Sequence, residues 1–246
     1  MPRFKDANDT HVIGGTTFQF TAARVADLGA TEYTLGVLVV DCSGSVAPYS
    51  SDIERTIQEV VRALRRHPRA DNLLLRVVTF DHNVQEFHGF RPLPDCNEAD
   101  YHGAVRVGGT TALYDATYSA IRSAASYGRT LVDHQFQVNA AVFVITDGAD
   151  NASKLTAQTV AQAVAEAQSS EVLESVLTVL VGVGTDSGGL DPYLQAFRAE
   201  AGFQQYVGIG QATATELSKL GGFISRSLAS QSQALGSGGP SVALSF

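Results

Sequence analysis

Oxygen-bearing side chains are concentrated in a short segment that follows an apolar run. Residues 35–40 are uncharged and rich in β-branched side chains, a pattern typical of a strand buried on both faces. Asp41, Ser43 and Ser45 follow at alternate positions, with Gly44 in the expected turn. In open α/β sheets, ligands bind at the carboxyl ends of the strands. Small oxygen donors crowded at such a point suit a hard cation such as Mg²⁺ or Mn²⁺.

Two later stretches bear on a simpler alternative, in which Asp41 and Ser43 only cap the following helix. Residues 108–111 (Gly-Gly-Thr-Thr) place hydroxyls on a glycine-rich loop before a helical pattern. Residues 142–148 (Val-Phe-Val-Ile-Thr-Asp-Gly) form a second buried-strand pattern that ends in a carboxylate. Oxygen donors at a second strand end favour the metal site over the capping role.

The three motifs, in this order, resemble the von Willebrand factor A domain. They are Asp-x-Ser-x-Ser after a buried strand, a Gly-Gly-x-Thr loop, and Thr-Asp-Gly after another such strand; the resemblance covers roughly residues 33–230. It implies a metal-ion-dependent adhesion site whose ligands are Asp41, Ser43, Ser45, Thr111 and Asp147. Thr111 is chosen over Thr110 because the Gly-Gly-x-Thr-Ala-Leu-Tyr-Asp-Ala loops of bacterial members place the ligand threonine there.

This resemblance implies a binding function and not a catalytic one. In metal-site members of the family, the two serines and the threonine contact the ion directly, and the aspartates often act through water. Uncharged ligands leave the cation incompletely neutralised, with one coordination position that a carboxylate from another protein can fill. We therefore expect a metal-dependent protein–protein interaction module that docks a Glu or Asp of a partner protein through Mg²⁺ or Mn²⁺.

Two other functions remain open from the sequence. A metal-dependent phosphoester hydrolase is the enzymatic alternative, since Asp and Mg²⁺ together can serve phosphoryl transfer. However, no second carboxylate-rich motif supplies a nucleophile or a base, and the six histidines lack the close spacing of a zinc site. The third function is a structural module in which the ion only joins three loops. Tyr49 and Tyr114, near the predicted metal rim, either contact a partner or pack against their own helices.

Composition limits the partners and the compartment. The net charge of −8 argues against binding to a nucleic-acid backbone, and no polybasic run is present for an anionic membrane. Two cysteines, Cys42 and Cys96, do not make a disulfide framework, and Cys42 is expected to be buried. No segment approaches the ~20 apolar residues of a membrane helix. We expect a cytoplasmic protein, similar to bacterial tellurium-resistance-type members, whose partner is a kinase, phosphatase or AAA+ ATPase encoded nearby.

The order of elements predicts the fold class and the domain organisation. Alternating strand and helix patterns predict an α/β fold: a doubly wound, mostly parallel central sheet flanked by helices, with one antiparallel edge strand. We expect an N-terminal extension (1–30), a von Willebrand factor A domain (31–230) and a flexible tail (231–246). Within the extension, residues 1–10 are expected to be unstructured, and residues 18–25 can add a strand that pairs with the next one through a turn at 28–30.

The remaining expectations concern where two helices end and what the C-terminal tail does. Gly128 is expected to end the helix that begins near residue 112, and residues 213–229 are expected to form the last helix. Residues 242–246 can add as a strand to a sheet edge, either in this protein or on a partner. In integrin-type relatives the last helix moves on ligand binding, which implies that the attached tail here would report the binding state.

Overall fold

A single mixed sheet positions every residue of the candidate site. The computed structural model describes residues 8–13, 18–186, 188–239 and 241–246, and within them the sheet has eight strands. The strands are β1 (Asn8–Val12), β2 (Gln19–Ala23), β3 (Glu32–Asp41), β4 (Leu73–Phe80), β5 (Val84–Pro92), β6 (Gln137–Thr146), β7 (Val176–Val183) and β8 (Gln205–Ile209). Their order across the sheet is β1-β2-β5-β4-β3-β6-β7-β8.

The predicted fold class is confirmed. Strands β4, β3, β6, β7 and β8 run parallel, and β5 runs antiparallel beside β4. The central strands are buried along almost their whole length, as the uncharged runs within them predict. The α-helices are α1 (Ser50–Arg65), α2 (Leu113–Asp133), α3 (Ala157–Ser169), α4 (Leu190–Ala201) and α5 (Ala214–Ser237). Among the described residues, no helix combines the length and the apolar composition that crossing a bilayer requires.

The helices form one layer on each face of the sheet. Helices α2, α3 and α4 pack against one another, and α1 packs against α5. Each layer encloses its own apolar cluster. One cluster contains Leu113 and Ala120 of α2, and the other contains Ile57 of α1 and Phe223 of α5. Because a helix layer covers each face, the strand ends and the loops that follow them are where a sheet of this kind forms a binding site.

The N-terminal strand forms as expected but pairs with different neighbours. Strand β2 lies within the predicted range 18–25, yet it pairs antiparallel with β1 and parallel with β5 through Ala22 and Phe90, so the expected pairing through a turn at 28–30 is wrong. Glycine at position 89 permits this arrangement, because a Cβ there would lie 1.8 Å from the Thr21 carbonyl oxygen. Residues 8–10, expected to be unstructured, belong to β1, and residues 1–7 lie outside the described residues.

Helix α2 continues past the glycine that was expected to end it. Gly128 lies inside α2, where a Cβ would come within 2.6 Å of Leu173 Cδ2. The glycine therefore serves close packing of the helix against the segment before β7, and not helix termination. Sequence alone does not distinguish these two uses of glycine.

The last helix also runs past its expected end, so the prediction of a flexible tail from residue 231 is wrong for residues 231–237. Helix α5 continues to Ser237 because polar contacts hold its last turns: Asn139 Nδ2 donates to the Gln231 carbonyl oxygen at 2.9 Å, and Arg69 Nε donates to Ser232 Oγ at 2.9 Å. Residues 241–246 form no strand, but Gln205 Nε2 donates to the Leu244 carbonyl oxygen at 2.8 Å.

Candidate metal centre

Parallel pairing of β3 and β6 brings the two aspartates of the site to one edge of the sheet. Val40 of β3 pairs with Ile145 of β6, so that Asp41 at the end of β3 lies level with Thr146 at the end of β6. Asp147 follows directly. The two motifs that are far apart in the sequence therefore meet because two central strands end at the same height.

Both oxygens of the Asp41 carboxylate are already engaged. Oδ1 accepts a hydrogen bond from the Ser43 backbone N–H at 2.8 Å, and Oδ2 accepts one from Thr146 Oγ1 at 2.5 Å. The side chain is 1% exposed. Burial raises the pKa of Asp41 to about 6, against the effect of the hydrogen bonds from Thr146 and Ser43, and the nearby charge of Asp147 adds to the increase.

A chain of hydroxyl contacts connects the Asp-x-Ser-x-Ser motif to Asp147. Ser43 Oγ lies 3.2 Å from Ser45 Oγ, and Ser45 Oγ donates to Asp147 Oδ1 at 2.8 Å. Ser43 is buried, whereas Ser45 is exposed. The Tyr49 hydroxyl donates to the other carboxylate oxygen, Oδ2. Burial, together with this hydrogen bond, raises the pKa of Tyr49 above its ordinary value, so the hydroxyl remains a donor.

Thr111 lies beside the residue that follows Asp147. A Cβ placed on Gly148 would be 3.2 Å from Thr111 Oγ1, and Thr111 is 4% exposed. The Thr111 backbone is fixed in both directions: its N–H donates to Asn151 Oδ1 at 2.8 Å, and its carbonyl oxygen accepts from the N–H groups of Asn151 and Ala152 at 3.0 and 3.2 Å. The structure thus brings all five predicted side chains to one edge of the sheet.

Backbone hydrogen bonds join the serine loop to the glycine loop. The Gly108 N–H donates to the Cys42 carbonyl oxygen at 2.9 Å, and the Gly44 N–H donates to the Gly109 carbonyl oxygen at 3.2 Å. Gly109 has a φ of 72°, a left-handed conformation that favours glycine, and a Cβ there would meet His82 Nδ1 at 2.4 Å. Cys42 is 3% exposed, as predicted, and burial raises the pKa of its thiol to about 12.

The loop after Asp147 also supplies the cap of α2. The residue before this helix makes no side-chain capping bond. Instead, Asp150 Oδ1 accepts from the Tyr114 N–H at 3.3 Å, and Ser153 Oγ accepts from the Asp115 N–H at 3.1 Å. These bonds satisfy N–H groups of the first helical turn that would otherwise lack partners. They also tie the loop that bears Asp147 to the helix that follows Thr111.

Sequence reasoning missed three residues that hold the site. Thr146 orients Asp41, Tyr49 binds Asp147, and Asn151 fixes the backbone of Thr111. Thr146 belongs to the Thr-Asp-Gly motif, but the motif assigns it no contact, and the sequence offers Tyr49 only as a partner contact or a packing residue. Tyr114 packs against Phe197 of α4, and its hydroxyl lies 2.6 Å from the Tyr193 hydroxyl, which accepts from the Asp150 N–H at 3.1 Å.

The donors present fit a hard divalent cation. Adjacent oxygens around an octahedral Mg²⁺ with bonds of 2.0–2.1 Å lie about 2.9 Å apart, and the contacts from Ser43 to Ser45 and from Ser45 to Asp147 measure 3.2 and 2.8 Å. Within the described part of the chain, no group of three or more His, Cys, Asp or Glu side chains forms a possible metal cage. A site here therefore depends on hydroxyl oxygens together with two carboxylates.

A model of the von Willebrand factor type A domain matches residues 37–226. The chain belongs to this family. Von Willebrand factor A domains commonly mediate metal-dependent protein interactions, and they are generally interaction modules and not enzymes. No sequence among the curated proteins is significantly similar to this von Willebrand factor A domain.

Solved structures with low sequence identity share the fold. A variant of the PilB minor pilin from Streptococcus sanguinis is 14% identical, with a TM-score of 0.61 over 89% of this chain and 66% of the pilin. Proximal thread matrix protein 1 of the mussel byssus is 20% identical, with a TM-score of 0.56 over 81% of this chain and 47% of that protein. A form of the mussel protein with a zinc-occupied metal-ion-dependent adhesion site is 18% identical, with a TM-score of 0.54. This von Willebrand factor A domain thus spans about two thirds of the pilin and about half of the mussel protein.

Proposed function

We propose that this von Willebrand factor A domain is a metal-dependent protein–protein interaction module. It docks a Glu or Asp of a partner protein through a Mg²⁺ or Mn²⁺ ion held by Asp41, Ser43, Ser45, Thr111 and Asp147. The observation that carries the proposal is the unbroken set of contacts from Asp41 through the two serines to Asp147, at the edge of the sheet where Thr111 also lies.

The charges of the site support binding of an external carboxylate. Only two of the five side chains are carboxylates, and each has both oxygens engaged by hydrogen-bond donors. An ion bound mainly through hydroxyl oxygens keeps much of its positive charge, which is then the largest local charge in the site. A cage of three or four carboxylates would cancel that charge and remove the attraction for an acidic partner.

The surroundings of the site allow a partner to approach. Ser45 is exposed, and so are the neighbouring Gly44, Gly109, Thr110 and Ala149. These residues are small and uncharged. Their small side chains leave room for a protruding acidic side chain of a partner to approach the ion.

The partner and the compartment are proposed from the sequence. The Gly-Gly-Thr-Thr-Ala-Leu-Tyr-Asp-Ala loop (108–116) resembles that of bacterial cytoplasmic members of the tellurium-resistance type. This likeness supports a cytoplasmic location and a partner of the kinase, phosphatase or AAA+ ATPase class encoded nearby. The acidic net charge of −8 supports a protein partner over a nucleic acid or an anionic membrane.

Metal binding and partner capture test the proposal together. Electron paramagnetic resonance measures bound Mn²⁺, and immobilised protein captures partners from lysate with Mg²⁺ or with EDTA. We expect Mn²⁺ binding and Mg²⁺-dependent capture that excess acetate reverses, both lost in Asp41→Ala. The control is Asp71→Ala, which removes an exposed acid from the turn before β4. That turn lies at the opposite end of the sheet from the proposed site, so this variant should retain both Mn²⁺ binding and capture.

The alternative functions give different results in the same experiment. Turnover of a phosphoester that is lost in Asp41→Ala would indicate a hydrolase. Mn²⁺ binding that stabilises the fold without any acetate-sensitive capture would indicate a metal-joined structural module. Absence of Mn²⁺ binding would reject the proposed site itself.

A further inference from the structure

Both oxygens of Asp147 receive hydrogen bonds from one short segment. The 3₁₀ turn Gly44–Tyr49 supplies Ser45 near its start and Tyr49 at its end. Ser45 Oγ donates to Oδ1 at 2.8 Å, and the Tyr49 hydroxyl donates to Oδ2. Since Ser45 Oγ also lies 3.2 Å from Ser43 Oγ, Oδ1 is the oxygen on the side of the serine pair. Oδ2 is the oxygen bound by Tyr49.

Packing holds the Tyr49 side chain in this position. Tyr49 is half-buried against the apolar cluster that α1 and α5 enclose. A Cβ placed on Gly184, at the end of β7, would lie 3.8 Å from the Tyr49 hydroxyl. The hydroxyl is thus confined between the loops that follow β6 and β7. A side chain held in this way can restrain a carboxylate at little further entropic cost.

We propose that Tyr49 is a positioning residue that keeps Oδ2 of Asp147 away from the bound ion, so that Asp147 acts on the metal only through Oδ1. This inference rests on the proposed function. It assigns Tyr49 a part in setting the charge of the ion, and not merely in stabilising the fold.

The balance between metal affinity and partner affinity follows from this restraint. A carboxylate oxygen that accepts a strong hydrogen bond has less electron density to offer a cation. If the Tyr49 hydroxyl is removed, Oδ2 is free to approach the ion and neutralise more of its charge. The ion should then bind more tightly to the protein and attract an external carboxylate less strongly. A purely structural role would instead weaken both.

The test uses the Tyr49→Phe variant of the full chain with Mn²⁺ and acetate as probes. Electron paramagnetic resonance gives the Mn²⁺ dissociation constant, and titration of the Mn²⁺-loaded protein with acetate gives the carboxylate affinity. We expect Mn²⁺ affinity to rise and acetate affinity to fall, each by about tenfold, the change that 1.4 kcal/mol produces. The unfolding temperature without metal shows whether Tyr49→Phe still folds.

Tyr206→Phe is the matched control. The Tyr206 hydroxyl donates to Asp191 Oδ1 at 2.7 Å, a tyrosine–aspartate bond outside the site. This variant should leave both affinities unchanged. In addition, Tyr49→Phe should have no effect on Mn²⁺ affinity when combined with Asp147→Asn, because the two residues act through one contact.

The outcomes separate the two proposals. If the wild-type protein binds Mn²⁺ but Tyr49→Phe weakens both affinities or changes neither, the role of Tyr49 is rejected and the metal-dependent module stands. The role of Tyr49 is also rejected if Tyr206→Phe raises Mn²⁺ affinity and lowers acetate affinity, as is expected of Tyr49→Phe. If the wild-type protein binds no Mn²⁺, both proposals are rejected.

Discussion

The two acids of the site are restrained by different kinds of donors. Asp41 is buried and is held by a backbone N–H and by Thr146, whereas Asp147 is half-buried and is held by Ser45 and Tyr49. In each case the protein's own donors fix the orientation of the carboxylate. Contacts of this kind reduce the entropy that binding costs.

The contact between Gly148 and Thr111 leads to a prediction about the metal ligand. In Gly148→Ala, the new Cβ would lie 3.2 Å from Thr111 Oγ1 and must displace that hydroxyl. We expect Mn²⁺ affinity to fall about tenfold, since small displacements of binding groups are costly. Gly29→Ala, where a Cβ would meet nothing within 4 Å, is the control. Equal Mn²⁺ affinities for the two variants would contradict the placement of Thr111 at the ion.

That the five proposed ligands lie at one edge of the sheet could be predicted from the sequence, but the residues that orient them could not. The proposed ligands follow strand ends and fit a spaced motif, and both features are visible in the chain. Tyr49 and Asn151 act through contacts between loops that only the folded paths determine. Likewise, the hydrogen bond from Thr146 to Asp41 requires knowing that β3 and β6 end at the same height.

At the scale of elements, β5 determines how the N-terminal strands attach. It faces β4 on one side and β2 on the other, where it pairs only through Phe90 and Ala22. Side-chain and close backbone contacts therefore replace most of the ladder of hydrogen bonds. Thr21 is central to them, because it approaches Gly89 and donates from both its N–H and its hydroxyl to Glu86.

Substitution of Gly89 tests this attachment. In Gly89→Ala, the Cβ would lie 1.8 Å from the Thr21 carbonyl oxygen, so β2 must move. We expect the free energy of unfolding to fall by about 1–3 kcal/mol. Hydrogen exchange should quicken in β1 and β2, and Mn²⁺ affinity should not change. Unaltered exchange in β1 and β2 would show that these strands are held by other contacts; Gly29→Ala again serves as the control.

A buried histidine on β5 gives a prediction about pH. His88 Nδ1 lies 2.8 Å from the Gly89 carbonyl oxygen and Nε2 lies 2.7 Å from the Tyr101 hydroxyl, and burial lowers the pKa of His88 from 6.5 to about 3. As the pH falls through 6.5, His88 therefore becomes protonated in the unfolded chain but stays neutral in the folded chain. The stability that His88 contributes is complete above pH 6.5 and declines as the pH falls towards 3.

The comparison with His88→Gln isolates this effect. Between pH 7 and pH 5, the wild type should lose about 2 kcal/mol more free energy of unfolding than the variant, since each pKa unit corresponds to about 1.4 kcal/mol. Urea unfolding at both pH values measures the difference. Parallel losses in the two proteins would mean that His88 is protonated in the folded state.

The elements themselves were largely predictable, whereas some of their ends and neighbours were not. Uncharged runs predicted the central strands because burial on both faces demands such composition. Gly128 misled the helix prediction because its role is close packing with Leu173. The extension of α5 depends on polar contacts of Gln231 and Ser232, which no apolar periodicity reveals.

At the scale of the whole molecule, an ion pair between a buried arginine and a half-buried glutamate connects three strands to a helix. Arg76 of β4 is 1% exposed, and its Nε donates to Glu86 Oε2 at 2.8 Å, while Nη1 donates to Ser123 Oγ of α2 at 3.0 Å. Glu86 Oε1 accepts from the Thr21 N–H and hydroxyl at 2.9 and 2.7 Å. The pair thus connects β4, β5, β2 and α2.

Single and double substitutions should show how strongly this connection is coupled. Arg76→Met leaves the Glu86 carboxylate without its cation, and we expect a loss of about 3–5 kcal/mol in the free energy of unfolding. Adding Glu86→Gln removes the unpaired charge and should restore part of that loss. Urea unfolding of the single and double variants measures the coupling. Strictly additive losses would show that the two charges do not depend on each other.

The dependence of β1 and β2 on Glu86 has a consequence for the order of folding during synthesis. Thr21 leaves the ribosome long before Glu86, and the two are 65 residues apart in the chain. Strands β1 and β2 therefore have no surface to dock on until β4 and β5 have emerged and paired. In this part of the sheet, the order of docking differs from the order of synthesis.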